Sequence, residues 1–122
     1  MSSPQLIKAF VSLIDDFVSE LEFSFPEEKD IKVTHSKLKM LAAVNPKMIV
    51  QEFVNYLLPY KKQLFDKDHH FFMDISNFEL DKSSAMQGIK IIDLLKDTSE
   101  DNTNVIFNYM QKLFRLGEKI LE

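Results

Sequence analysis

Prolines at positions 4, 26, 46 and 59, together with a few polar caps, cut this chain into short segments. Within nearly every segment the apolar residues return at helical spacing. A residue that precedes proline avoids helical geometry, so this punctuation divides the chain into several short helices. The pattern predicts an all-α fold, a compact bundle of five to six short helices in one domain spanning residues 1–122.

A chain of 122 residues, 45% of them hydrophobic, can bury roughly two thirds of its unfolded surface. A core is therefore within reach without staples. The chain contains no cysteine, which removes disulfides, thiolate metal sites and cysteine nucleophiles and fits a reducing compartment. Met1-Ser2-Ser3-Pro4 carries no basic leader, and Asp15 and Asp16 interrupt the apolar stretch that follows. No apolar run approaches membrane-spanning length. We expect an intracellular, cytoplasmic protein that does not enter a membrane.

The net charge of −4 conceals a segregation: residues 1–30 carry −5, residues 31–70 carry +4 and residues 71–122 carry −3. Acidic and basic helices packed side by side explain this, and a basic surface for an acidic partner is the sharper reading. Only Arg115 among the 15 basic residues is an arginine, and Lys, Ile, Asn and Phe are plentiful. That bias is what an A/T-rich coding genome produces.

Ser3 before Pro4 is a helix start, a capping hydroxyl followed by proline at the first helical position. Leu6, Ile7, Phe10, Val11, Leu13, Ile14, Phe17, Val18 and Leu21 then share one side, and the helix should stop at about Leu21 or Glu22, before Phe25-Pro26. From Ile31 a second helix reads less cleanly, with Ile31, His35, Leu38, Leu41 and Ala42 on one face. Asn45-Pro46 is both a stop and a restart, Asn45 serving as N-cap. Ile49, Val50, Phe53, Val54 and Leu57 form the stripe of the third helix, which Pro59 either kinks or breaks, since Tyr60 and Leu64 stay in phase. Asp68 can cap a segment with Phe71, Phe72, Ile75 and Phe78. Residues 84–97 are apolar on more than one side, as a central helix would be. In the last helix Val105, Ile106, Tyr109, Met110, Leu113, Leu116 and Ile120 line one face, opposite Lys112, Arg115 and Lys119.

The two terminal helices carry a second apolar line: Phe107, Phe114 and Leu121 in the last, Val11 and Val18 in the first. Such a line either lets a helix nestle between two neighbours or forms a surface for self-association or a protein partner. The segment Tyr60-Lys61-Lys62-Gln63-Leu64-Phe65-Asp66-Lys67-Asp68-His69-His70-Phe71-Phe72 is the densest mixture of base, aromatic and histidine. Adjacent His69 and His70 would point about 100° apart on a helix and cannot chelate one ion together, so no metal site is expected. Lys47, Tyr60, Lys61, Lys62 and Lys67 make a candidate basic-aromatic patch. Lys47, Gln51, Asn55 and, past the kink, Lys62 project outward behind the tight Asn45-Pro46 turn, as in a helix-turn-helix reader of nucleic acid. The acidic total and the single arginine argue against that use.

No catalytic kit is visible. Asp15/Asp16 and Glu27/Glu28 pair carboxylates on a solvated face and in an acidic turn, and no phosphate loop, HExxH or nucleophile elbow occurs. We expect no enzyme activity, no cofactor and no small-molecule substrate.

Phe25-Pro26-Glu27-Glu28-Lys29-Asp30, the run Asn45-Pro46-Lys47 through Pro59-Tyr60, and Asp68-His69-His70-Phe71-Phe72 together resemble small uncharacterised helical proteins of large double-stranded DNA viruses. The resemblance covers the first two thirds of the chain and implies expression in a host cytoplasm or packaging in a virion; it brings no site residues with it. The expected function is that of a non-enzymatic interaction or structural factor, binding a protein partner or itself through apolar helix stripes. The alternative is a nucleic-acid-associated protein using the basic 31–70 region.

Overall fold

The computed structural model describes residues 3–68 and 100–122. Among the described residues there are five α-helices: α1 (Ser3–Ser24), α2 (Lys29–Val44), α3 (Pro46–Leu57), α4 (Lys61–Phe65) and α5 (Glu100–Leu121), with a 3-10 turn (Leu58–Tyr60) between α3 and α4. The all-α expectation holds, with no strand among the described residues. Four of the helices are 12 residues or longer and α4 has 5. The further helices expected around Phe71–Phe78 and 84–97 lie outside the described residues.

Local chemistry sets the boundaries. α1 runs to Ser24, past the expected stop, because Pro26 constrains only the residue immediately before it. The Phe25 N–H still donates to the Leu21 carbonyl at 2.8 Å. Asn45 is the hinge between α2 and α3: its N–H donates to Leu41 O at 2.6 Å, and its side-chain oxygen accepts from the Met48 N–H at 3.3 Å. One residue thus closes one helix and caps the next. At Pro59 the helix breaks into the 3-10 turn, yet Leu64 beyond it is fully buried and continues the α3 stripe. α4 ends on Lys67 at φ 52°. The Asp68 N–H reaches Gln63 O at 2.9 Å and the Lys67 N–H reaches Leu64 O at 3.3 Å. That is a Schellman closure on a non-glycine residue.

The four longer helices form a ring in which α1 packs on α2 and α5, α3 packs on α2 and α5, and α1 also meets α3. Phenylalanines fill the centre: Phe10, Phe17, Phe53, Phe107 and Phe114 are all fully buried. Phe10 meets Phe53 edge-on with centroids 5.8 Å apart, and Phe17 stacks on Tyr109 at 5.2 Å. Such aromatic pairs contribute about 0.5–1.5 kcal/mol beyond the area they bury.

Two expectations are corrected here. Val105 is 37% exposed and stands off the buried face of α5. The second line of α5 and of α1 is not an accessible stripe, because Phe107, Phe114 and Val18 are buried, and Val11 and Leu121 are half-buried. Each terminal helix touches several neighbours, α1 meeting α2, α3 and α5 while α5 meets α1, α3 and α4. A broad apolar arc is what such a position demands.

Candidate protein-interaction surface

α2 has two apolar sides. At 3.6 residues per turn, Ile31, Thr34, His35 and Leu38 point into the bundle and are buried. Val33, Met40 and Val44 recur at intervals of seven and four on the opposite side, where they are 53%, 70% and 84% exposed. Lys29, Lys32 and Lys37 stand exposed along the same outer face. Here an apolar line flanked by cations meets solvent.

The outer side of α1 has the opposite character. Phe23 is 83% exposed, and Asp16, Ser19 and Glu20 share its side of the helix, all exposed. Glu27 and Glu28, also exposed, follow in the turn. Asp16 and Glu20 stand near Tyr109 of α5, and Glu20 lies about 160° around α1 from Glu22, the residue that reaches α2.

His35 ties the two helices together. Its Nε2 lies 2.6 Å from Asp15 Oδ1 and its Nδ1 lies 2.5 Å from Glu22 Oε1. Ionised carboxylates only accept, so both bonds form together when the ring donates from both nitrogens as imidazolium. The sequence placed His35 on the buried face but gave no hint of its partners, which are 20 and 13 residues away. Beside this clasp a groove of about 150 Å³ runs between Val11, Ile14, Asp15, Leu38, Lys39 and Ala42. It falls short of the roughly 300 Å³ at which small-molecule pockets begin.

The basic-aromatic segment is folded onto α5 rather than gathered into a patch. Lys61 Nζ donates to Glu118 Oε2 at 3.0 Å and sits 5.7 Å from the Phe114 ring. The Arg115 guanidinium covers Phe65 at 4.8 Å, and Gln111 Nε2 donates to Leu64 O at 2.9 Å. Tyr60 is half-buried against the core. Lys62 and Lys67 are exposed, and so is Lys47. Lys47 and Lys61 flank α3 at its two ends, roughly 20 Å apart at 1.5 Å per residue. His69, His70, Phe71 and Phe72 lie outside the described residues.

What sequence reasoning missed is the outer line of α2. Its signal was present: Val33, Met40 and Val44 off the inward face are why the second helix read less cleanly. Among the described residues no cluster of three or more histidines and carboxylates could hold a metal, and no helix is long and apolar enough to cross a membrane. Comparisons with protein-family models, curated proteins and solved structures find no match.

Proposed function

We propose that this protein is a non-enzymatic interaction factor whose contact surface is the outer face of α2. The observation that carries the reading is the line Val33, Met40 and Val44, held in solvent by a helix whose other face is core. Scattered exposed apolar residues are ordinary. Three in one line on a helix, with lysines on its flanks, are the pattern by which an amphipathic helix engages another protein. The lysines favour a partner whose apolar contact is bordered by carboxylates. The composition and the viral resemblance support a host cell or virion as the setting.

The nucleic-acid reading has less support, because Lys61 is paired with Glu118 and Lys47 stands at the other end of α3. Site-specific photo-crosslinking in the native cell decides the matter. A benzophenone side chain at position 40 is expected to give a discrete protein adduct that Val44→Glu abolishes, while the same group at position 62 gives none. Equal labelling from both positions, or no adduct from position 40, would contradict the proposal.

A further inference from the structure

We infer that His35 is a proton-operated latch between α1 and α2: the charged ring holds Asp15 and Glu22 together, and the neutral ring keeps Glu22 and releases Asp15. The His35 side chain is only 10% exposed, so its contacts are shielded from solvent. Nε2 is 2.6 Å from Asp15 Oδ1, and Nδ1 is 2.5 Å from Glu22 Oε1. Two carboxylate acceptors at these distances need two N–H donors, which only the imidazolium form supplies. The neutral ring has one. Its bare nitrogen then meets a carboxylate lone pair to lone pair, and one of the two contacts has to open. Histidine is the side chain whose charge changes in the physiological range, so protons alone can drive this step.

The surroundings choose which contact opens. The Glu22 side chain is 27% exposed and the Asp15 side chain 47%. A carboxylate already half in water loses less when its donor leaves. Nε2 therefore gives its proton to solvent while Nδ1–H stays on Glu22, the less common tautomer of free histidine. Asp15 lines the groove beside the ring, and so does Lys39, a cation that gives the freed carboxylate a second partner. Of the other charged groups on this side, Lys32 precedes His35 on α2 and Lys8 lies two turns before Asp15 on α1, both exposed. α3, which also packs on α2, carries Lys47, exposed, and Glu52, half-buried. The sign follows from the donor count. The clasp stabilises fully while the ring is charged and both carboxylates are ionised, and it loses its Asp15 half as pH rises through the titration of the ring. Acid fastens α2 to α1, and base loosens the seam along Val11, Leu38 and Ala42.

Nitrogen-15 spectra of the ring read the latch directly, in a full chain carrying His69→Gln and His70→Gln, where His35 is the one histidine left of three. At the acid end of the folded range both ring nitrogens should carry protons. As pH rises, Nε2 should lose its proton while Nδ1 keeps one. Over the same transition, hydrogen-exchange protection of the amides of residues 34–38 should fall by roughly threefold to tenfold, the loss of one part-exposed charge-assisted bond. Asp15→Asn separates the latch from packing, because its amide can accept from Nε2–H or turn over and donate to the bare nitrogen. It should abolish the fall in protection while circular dichroism shows the helices intact; the tautomer without it decides even if this variant fails to fold. A ring that stays doubly protonated, or already neutral, across the folded range would overturn the latch. So would a proton lost first from Nδ1, protection unchanged through the transition, or a folded Asp15→Asn protein that keeps the step. None of these outcomes touches the α2 contact line, which the crosslink at position 40 tests separately.

Discussion

Gly117 of α5 packs against Val50 and Val54 of α3. A Cβ added there would collide with Val54 Cγ2 and come within 3.5 Å of the Phe10 ring and 3.6 Å of Val50 Cγ1. Val54 is a buried β-branched residue, held to one rotamer in a helix, and cannot swing aside. Gly117→Ala gains about 1 kcal/mol of helix propensity but overpacks the contact at a cost of about 1–3 kcal/mol. We expect net destabilisation in urea unfolding, partly relieved by adding Val54→Ala; a Gly117→Ala protein more stable than wild type would contradict this contact. Tyr109 offers a second test at the same scale. Burial first, then the nearby Glu20 and Asp16 carboxylates, raise its phenol above the ordinary value of 10.0. A group raised in the folded state contributes stability fully below its unfolded value and loses it as pH climbs through the folded one. Stability should therefore fall above about pH 10, by more in wild type than in Tyr109→Phe, which keeps the ring against Phe17. Equal alkaline slopes would show that the phenol is not the cause.

Between elements, the His35 clasp holds the α1–α2 pair in register. Charge-assisted hydrogen bonds contribute about 1.5–3 kcal/mol each when shielded. The Asp15 side chain is 47% exposed, which discounts its bond, while Glu22 at 27% is better protected. His35→Ala should cost about 1–3 kcal/mol, and a double-mutant cycle with Glu22→Gln should show coupling above about 0.5 kcal/mol. Additive losses would mean that the ring packs but does not clasp. Much of this level was legible in the residue pattern. The α3 stripe of Ile49, Val50, Phe53, Val54 and Leu57 is buried throughout, and Asn45 caps as its position implied. What periodicity does not encode is whether a second apolar line meets a neighbour or water. Phe107 and Phe114 meet neighbours, whereas Val33, Met40 and Val44 meet water. Charge placement separates the cases: Lys112, Arg115 and Lys119 keep to the far side of α5, while Lys29, Lys32 and Lys37 border the α2 line itself. The pairing of His35 with two carboxylates was hidden because it depends on how α1 and α2 are set against each other.

On the scale of the whole molecule, the described helices close a phenylalanine core contributed by α1, α3 and α5, and Phe23, Val33, Met40 and Val44, the four most exposed large apolar residues among those described, lie on α1 and α2. The segregation of −5 over residues 1–30 and +4 over residues 31–70 becomes, in the fold, exposed carboxylates on α1 and in the turn after it and exposed lysines along α2. Lys61 is paired with Glu118 on α5, whereas Lys29, Lys32 and Lys37 stand exposed on α2. The claim on which this account rests is that α2 meets another protein with its outer face. Site-specific photo-crosslinking in the native cell tests it most directly. The account predicts a discrete protein adduct from a benzophenone side chain at position 40, on the exposed line of Val33, Met40 and Val44, and none from position 62. No adduct from position 40, or equal labelling from both positions, would contradict it.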